Sequence, residues 1–250
     1  MCRLDVSFAH QVCLDKNVRL LAVDRPGIGL SARQANRTLL DCAADMGSLM
    51  AALGIDSAAL LGWSVGGPFA FATAYGLGSK ISKVATVGCA PPLDYPNAKK
   101  ELGLWLDRLL LTMPPSLNGL VSSYLSLTAY APPALLKFLM ITEILSEADR
   151  RVVRAMSVKE VSDMMVESVR QGGDGNLDDY AAYGGPWGFS LADIKQEVQL
   201  WYGDNDLLVP QKAQAYMTAL IPKATEIVAS GEGHFLHHVK MAEILDWLVN

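Results

Sequence analysis

Leu60-Leu61-Gly62-Trp63-Ser64-Val65-Gly66-Gly67 decides the reading of this chain. It sets Gly-x-Ser-x-Gly directly after an apolar, strand-like stretch, Ala58 to Leu61. A small, apolar, helix-compatible stretch follows, Phe69 to Tyr75. A serine at such a strand-to-helix turn sits in strained backbone geometry, its hydroxyl thrust out of the sheet edge. Gly62 and Gly66 have no Cβ, which predicts that the flanking backbones crowd together there. The start of the helix adds a positive field and free N–H groups. That is the construction of an activated nucleophile. The competing readings are an ordinary tight turn and a phosphate-cradling loop. The second lacks the Lys-Ser/Thr that a P-loop needs.

On the N-terminal side, Thr38 to Leu53 reads as a helix, with Leu39, Ala43, Met46, Leu49, Met50 and Leu53 at helical spacing and Gly54 placed to stop it. Further back, Val18 to Val23 is a continuous apolar run that predicts a strand buried on both faces. Asp24-Arg25-Pro26-Gly27-Ile28-Gly29 breaks it with turn chemistry. On the C-terminal side, Lys83 to Val87 reads as a strand closed by Pro91-Pro92. From there to about Ile194 the chain reads as helical segments divided by Pro96, two Pro pairs and Gly172-Gly173. Strands return at Val198 to Tyr202 and Thr225 to Val228, with helices at Gln211 to Leu220 and His234 to Leu248. The expected class is α/β: a mostly parallel sheet flanked by helices, because parallel strands need such crossovers.

A chain of 250 residues suits one α/β domain with an inserted subdomain. The apolar content of 51% points to a fully buried sheet or an apolar binding surface. The net charge of −5, with no basic patch, gives no reason to expect a nucleic-acid partner. Cys2, Cys13, Cys42 and Cys89 are scattered without a CxxC or a Cys/His cluster, which reads as reduced thiols in a cytoplasmic protein. Met1 to Asp5 lacks the apolar core of a signal peptide. No charge occurs between Arg108 and Lys137, but the Pro pairs cut that run shorter than the roughly 20 residues a bilayer span needs. Buried helices or the roof of an apolar pocket are expected there, rather than membrane contact.

A serine hydroxyl needs a base, and the base needs an orienting acid. In Leu200-Trp201-Tyr202-Gly203-Asp204-Asn205-Asp206-Leu207-Leu208-Val209-Pro210, an apolar strand ends in an acid-bearing loop and Pro210 opens a helix. Asp204 fits a solvated turn; Asp206 fits either a turn or the orienting acid. Ser230-Gly231-Glu232-Gly233-His234-Phe235-Leu236-His237-His238 follows the last strand. His234 is the candidate base, although a lone loop histidine is more often a surface residue. His234 and His238 also have the i, i+4 spacing of two metal ligands, but no Glu or Asp completes a familiar zinc motif. His237 and His238 read as surface or packing residues.

The order Ser, Asp, His matches that of α/β-hydrolases. Four segments resemble that superfamily: Asp24 to Ser31, Gly62 to Gly66, Gly203 to Pro210 and Gly231 to His234. The resemblance spans Val18 to Asn250. It implies Ser64 as nucleophile, Asp206 as acid, His234 as base and the Val65 backbone N–H as an oxyanion donor. It implies a core of residues 1–91 and 194–250 and a helical cap over residues 92–193, with Asp24 and Arg25 in a structural turn. The implied activity is cleavage of an ester or related acyl bond, with no cofactor. Leu104, Leu106, Leu109 to Leu111, Leu135, Leu136, Phe138 and Leu139 in the cap point to a small or medium apolar substrate, or simply pack the cap. Acyl transfer and a hydrolase-like ligand-binding role stay open, and nothing in the sequence fixes the oligomeric state.

The family normally has further strands before the one placed at Val18, and a loop with a His-Gly pair that carries a second oxyanion donor. Here Met1 to Asn17 precede Val18, and His10 is followed by Gln11. Leu4 to Leu14 reads as the remnant of the helix after that loop. The expectation is a sheet shortened at its N-terminal side, as in a truncated gene product, with an exposed or rearranged edge. The lost oxyanion donor is worth roughly 3–4 kcal/mol of transition-state stabilisation.

Overall fold

A computed structural model describes residues 2–96, 98–101, 103, 105–142 and 146–250. A 3-10 turn over Arg3–Ala9 leads into helix α1 (His10–Asp15), which coincides with the helical reading of Leu4 to Leu14. Helix α2 (Leu39–Ala52) begins at Thr38, whose hydroxyl accepts from the Asp41 N–H while the Asp41 carboxylate accepts from the Thr38 N–H. Strand β1 (Ala58–Trp63), helix α3 (Gly66–Leu77) and strand β2 (Ile81–Val87) follow. The next segment is helical: α4 (Ala98–Glu101), α5 (Trp105–Thr112), α6 (Asn118–Leu127), α7 (Pro133–Thr142), α8 (Glu147–Ala155), α9 (Val158–Ser168) and α10 (Asp174–Gly184). Strand β3 (Glu197–Gly203), α11 (Gln211–Leu220), β4 (Ala224–Ala229) and α12 (His237–Val249) complete the chain.

The four strands form one sheet in the order β1-β2-β3-β4, all parallel. Side chains alternate across it, as the two-residue period of a strand requires. Val84, Val198 and Leu200 face a core shared with α2, α3 and α11, including Leu39, Phe71 and Met217. Ala85, Val87 and Trp201 face the other side, against Leu236, Ile244 and Leu248 of the C-terminal segment. The central strands are therefore covered on both faces, which explains their continuous apolar runs. Because every strand runs the same way, all four carboxyl ends lie on one rim. Ser64, Gly88, the 204–206 loop and the 230–236 loop leave the sheet there.

Val18 to Val23 corrects one expectation. It makes no strand; the segment pairs with no described strand and is mostly exposed. Leu20, Leu21 and Val23 are 38%, 43% and 38% accessible. An apolar run becomes a buried strand only when a neighbouring strand satisfies its backbone groups. Here only its first residue, Val18, packs inward, beside Leu61, Ala9 and Met241. Strand β1 is consequently an edge of the described sheet. No described helix is long and apolar enough to cross a membrane.

Candidate active site

Ser64 follows directly on β1 and has φ 53°, a left-handed conformation rare for a residue with a side chain. Such a residue costs about 1–3 kcal/mol and persists only where its surroundings over-determine it. Here they do. The Ser64 N–H donates to the Val87 carbonyl at 2.9 Å. The Ser64 carbonyl accepts from Gly67 N–H at 3.0 Å and from Ala90 N–H at 3.1 Å. The predicted crowding holds at Gly62, where a Cβ would lie 2.7 Å from the Gly66 carbonyl oxygen. It does not hold at Gly66, which faces open space; the close approach is one residue later, where a Cβ on Gly67 would run into Cys89.

Asp206 sits in the loop that leaves β3. Its Oδ1 accepts from the N–H groups of Leu208 at 2.8 Å and Val209 at 3.0 Å. Its Oδ2 lies 2.8 Å from His234 Nδ1. The two roles left open for this residue, turn former and partner of His234, are thus filled by different oxygens of one carboxylate. Asp204, in contrast, bonds Ser230 and the Gly231 N–H at the surface.

His234 is buried. Burial alone would depress its pKa, but the charge of Asp206 and the bond to it outweigh that and raise it above the ordinary histidine value. Gly88, at φ 49°, lies between these groups: a Cβ there would be 2.7 Å from His234 Nδ1 and 3.0 Å from Asp206 Oδ2. The end of β2 therefore bears glycine where the imidazole–carboxylate pair passes closest. Trp63, the residue before Ser64, donates its indole N–H to the His234 carbonyl at 3.0 Å.

His237 and His238 pack against aromatic rings. His238 stacks on Phe8 with ring centroids 3.8 Å apart, and His237 is buried 4.4 Å from the Trp63 ring. Burial pushes the His237 pKa well down, so the ring is neutral. Among the described residues no cluster of His, Cys, Asp and Glu is arranged to hold a metal ion. Asp24 is a turn residue: its carboxylate accepts from the N–H groups of Arg3 at 2.7 Å and Leu30 at 3.2 Å. Arg25 reaches Asp179 of α10 at 2.7 Å.

Ser64 opens on a cavity of about 20 Å³, room for about one water molecule. Val65, Ala90, Leu208 and Val209 form its apolar side, and Asp107, Tyr180 and Tyr183 its polar side. The Tyr180 hydroxyl donates to the Asp107 carboxylate, joining α10 to α5. Burial raises the Asp107 pKa, partly offset by that bond. These polar groups escaped the reading of the sequence. The only available signal was one acid, Asp107, in the otherwise apolar run Leu104 to Leu111 with Arg108 beside it. Of the apolar residues expected to line the pocket, Leu104 lies outside the described residues and none of the others touches the cavity. Leu136 is buried elsewhere, while Leu109, Leu135, Phe138 and Leu139 are exposed.

Solved structures of similar shape include a thermophilic esterase from Thermogutta terrifontis, 17% identical, with a TM-score of 0.70 over 100% of this chain and 86% of that one. An esterase from Exiguobacterium antarcticum is also 17% identical, with a TM-score of 0.70 over 100% and 88%. A bromoperoxidase from Bacillus anthracis is 18% identical, with a TM-score of 0.68 over 100% and 88%. At such identities the likeness speaks for the fold alone. A search of curated protein sequences finds no match. The sequence profile described as "Alpha/beta hydrolase family" matches residues 6–247. With that match over nearly the whole chain, and with a serine turn, an acid loop and a histidine loop on one rim of a parallel sheet, the chain belongs to the alpha/beta hydrolase family.

Proposed function

We propose that this chain is a serine hydrolase that cleaves an ester or related acyl bond of a small-molecule substrate through Ser64, His234 and Asp206. The observation that carries this reading is the buried 2.8 Å contact between His234 Nδ1 and Asp206 Oδ2, on the rim where Ser64 is held at φ 53°. A serine turn alone is a turn. A buried imidazole oriented by a carboxylate, on the same rim, is the partner that a serine nucleophile requires.

The mechanism follows from the chemistry of these groups. Asp206 fixes the Nδ1–H tautomer of His234, leaving Nε2 as base. His234 takes the Ser64 proton as Oγ attacks the acyl carbon. Asp206 stabilises the imidazolium that forms, and the raised pKa of His234 reflects that same preference. The developing oxyanion is met by the N–H of Val65, just before α3. His234 then gives its proton to the leaving group and activates a water that releases the acyl enzyme.

Residues 1–91 and 194–250 act in this reading as the core that carries the three groups. Residues 92–193 act as the cap, since α5 and α10 supply Asp107, Tyr180 and Tyr183 to the cavity beside Ser64. The apolar side of that cavity favours a short apolar acyl group.

A fluorophosphonate probe tests the proposal. Labelling of the folded chain at Ser64, abolished in both Ser64→Ala and His234→Ala, is the expected result. Folded wild-type protein that takes no label overturns it.

A further inference from the structure

Helix α8 belongs to the helical segment between β2 and β3, yet it reaches the loop that carries His234. Its Asp149 side chain is almost wholly buried. Oδ1 accepts from the Phe235 N–H at 2.8 Å, and Oδ2 accepts from the Ser146 hydroxyl at 2.8 Å. Phe235 is the residue directly after His234. On the other side of His234, a Cβ on Gly233 would strike both oxygens of the Asp149 carboxylate and the Ser146 hydroxyl. One residue further back, Glu232 pairs with Arg151 of the same helix at 2.8 Å. The Phe235 ring packs with Val153 of α8 and with Leu208. Residues 232, 233 and 235 therefore all rest on the N-terminal half of α8, with His234 between them.

Burying a carboxylate is costly unless donors and charges compensate it. A neutral acceptor would satisfy the Phe235 N–H as well. The charged form gains something a neutral one cannot: a negative charge close to an imidazole that turns positive during catalysis. We propose that Asp149 is a positioning residue for His234, through which the helical segment sets both the placement of the base and the negative charge beside it. The proposal rests on His234 being the base of the reading above. The groups that act on the His234 ring are Asp206 from the loop after β3, Asp149 from α8 and Asp107 from α5, while His237 on α12 stays neutral. The three carboxylates all favour imidazolium.

The test uses Asp149→Asn and Asp149→Ala in the full chain. The readouts are the rate of Ser64 labelling against pH and the NMR titration of the His234 imidazole, assigned by its loss in His234→Gln. Asn keeps the acceptor for the Phe235 N–H, removes the charge and turns an amide NH2 toward the Ser146 hydroxyl oxygen, which can accept from it, so it is expected to fold. Its His234 titration and the acid limb of its labelling rate then move to lower pH, because a neutral imidazole survives further into acid. Ala also removes the acceptor, and labelling at the plateau is expected to slow by about tenfold or more, as misplacement of a catalytic group commonly does. An Asn variant whose His234 titration and acid limb both match the wild type overturns the proposal, whether or not the Ala variant folds. So does a folded Ala variant that labels at the wild-type rate. If wild-type Ser64 takes no label but the His234 titration still shifts in Asp149→Asn, the hydrolase reading fails and the Asp149–His234 coupling stands.

Discussion

Trp63 holds His234 from the strand side: its indole N–H ends on the His234 carbonyl at 3.0 Å, in the residue immediately before Ser64. The two loops proposed to meet in catalysis are thus joined by a bond that involves neither reacting group. Trp63→Phe keeps most of the ring packing against Phe235 and His237 and leaves the His234 carbonyl without this donor. The expected cost is about 1 kcal/mol, seen as a melting temperature lower by roughly 2–4 °C in a chain of this length. Labelling of Ser64 is expected to slow by more than this small loss of stability explains.

Asp206→Asn tests the orienting acid. One amide oxygen can still accept from the Leu208 and Val209 N–H groups, so the loop is expected to keep its shape. The charge beside His234 is gone, and labelling or ester turnover is expected to fall by about 10⁴. The sign of the pH effect is also set. Asp206 raises the His234 pKa, so the wild-type rate falls in acid already above the ordinary histidine range, and the residual rate of the variant falls only at lower pH. A pH–rate profile of both proteins checks this.

Asp179 predicts an acid-labile joint between the turn after residue 23 and α10. Its carboxylate is buried and pairs with Arg25 and with the buried Arg37. Burial would raise its pKa, but the two guanidinium groups outweigh that and lower it. A lowered folded-state pKa stabilises above the unfolded value and is lost as pH falls through the folded one. Asp179→Asn leaves Arg25 without its partner carboxylate and Arg37 with only Asp178, at 3.5 Å, and is expected to cost about 3 kcal/mol in urea unfolding at neutral pH. The difference from wild type is expected to shrink below about pH 4, where the carboxylate of the unfolded chain takes up a proton, and to go on shrinking until the folded one protonates at lower pH.

The size of the cavity predicts the acyl preference. A cavity of about 20 Å³ beside Ser64 must widen for any acyl group, and more for a longer one, so acetyl esters are expected to exceed octanoyl esters by at least about tenfold in kcat/KM. Val209→Ala, which removes two methyl groups from the lining, is expected to narrow that ratio. Equal ratios in both proteins would count against Val209 as a determinant of chain length.

What the sequence disclosed was local. The serine turn, the loop after Tyr202 and the loop before His234 are each written in a few adjacent residues: an apolar run, glycine, then a reactive side chain. What it withheld depends on neighbours far along the chain. Val18 to Val23 has the composition of a buried strand, but composition says nothing about whether another strand lies beside it, and here none does among the described residues. Asp107 and Asp149 look like ordinary helix acids, since no periodicity marks an acid that points at a cavity or a distant loop. Asp149 even has the local signature of a helix N-terminus, with Ser146 as its cap, which conceals its bond to Phe235. The roof of the pocket was legible as helical and misread in its chemistry: the described leucines went to the surface and to packing, and an acid and two tyrosines went to the cavity.

Tyr180 and Asp107, hydrogen-bonded to each other, line a space beside Ser64 that has about the volume of a single solvent molecule. In the function proposed above, an ester larger than that has room only when the two helices part. Admission then becomes a diffusive step of the protein itself, and its friction is that of the surrounding medium. For good substrates, turnover should therefore slow in proportion as sucrose or glycerol thickens the solution, and should stop responding to how good a leaving group the alcohol is.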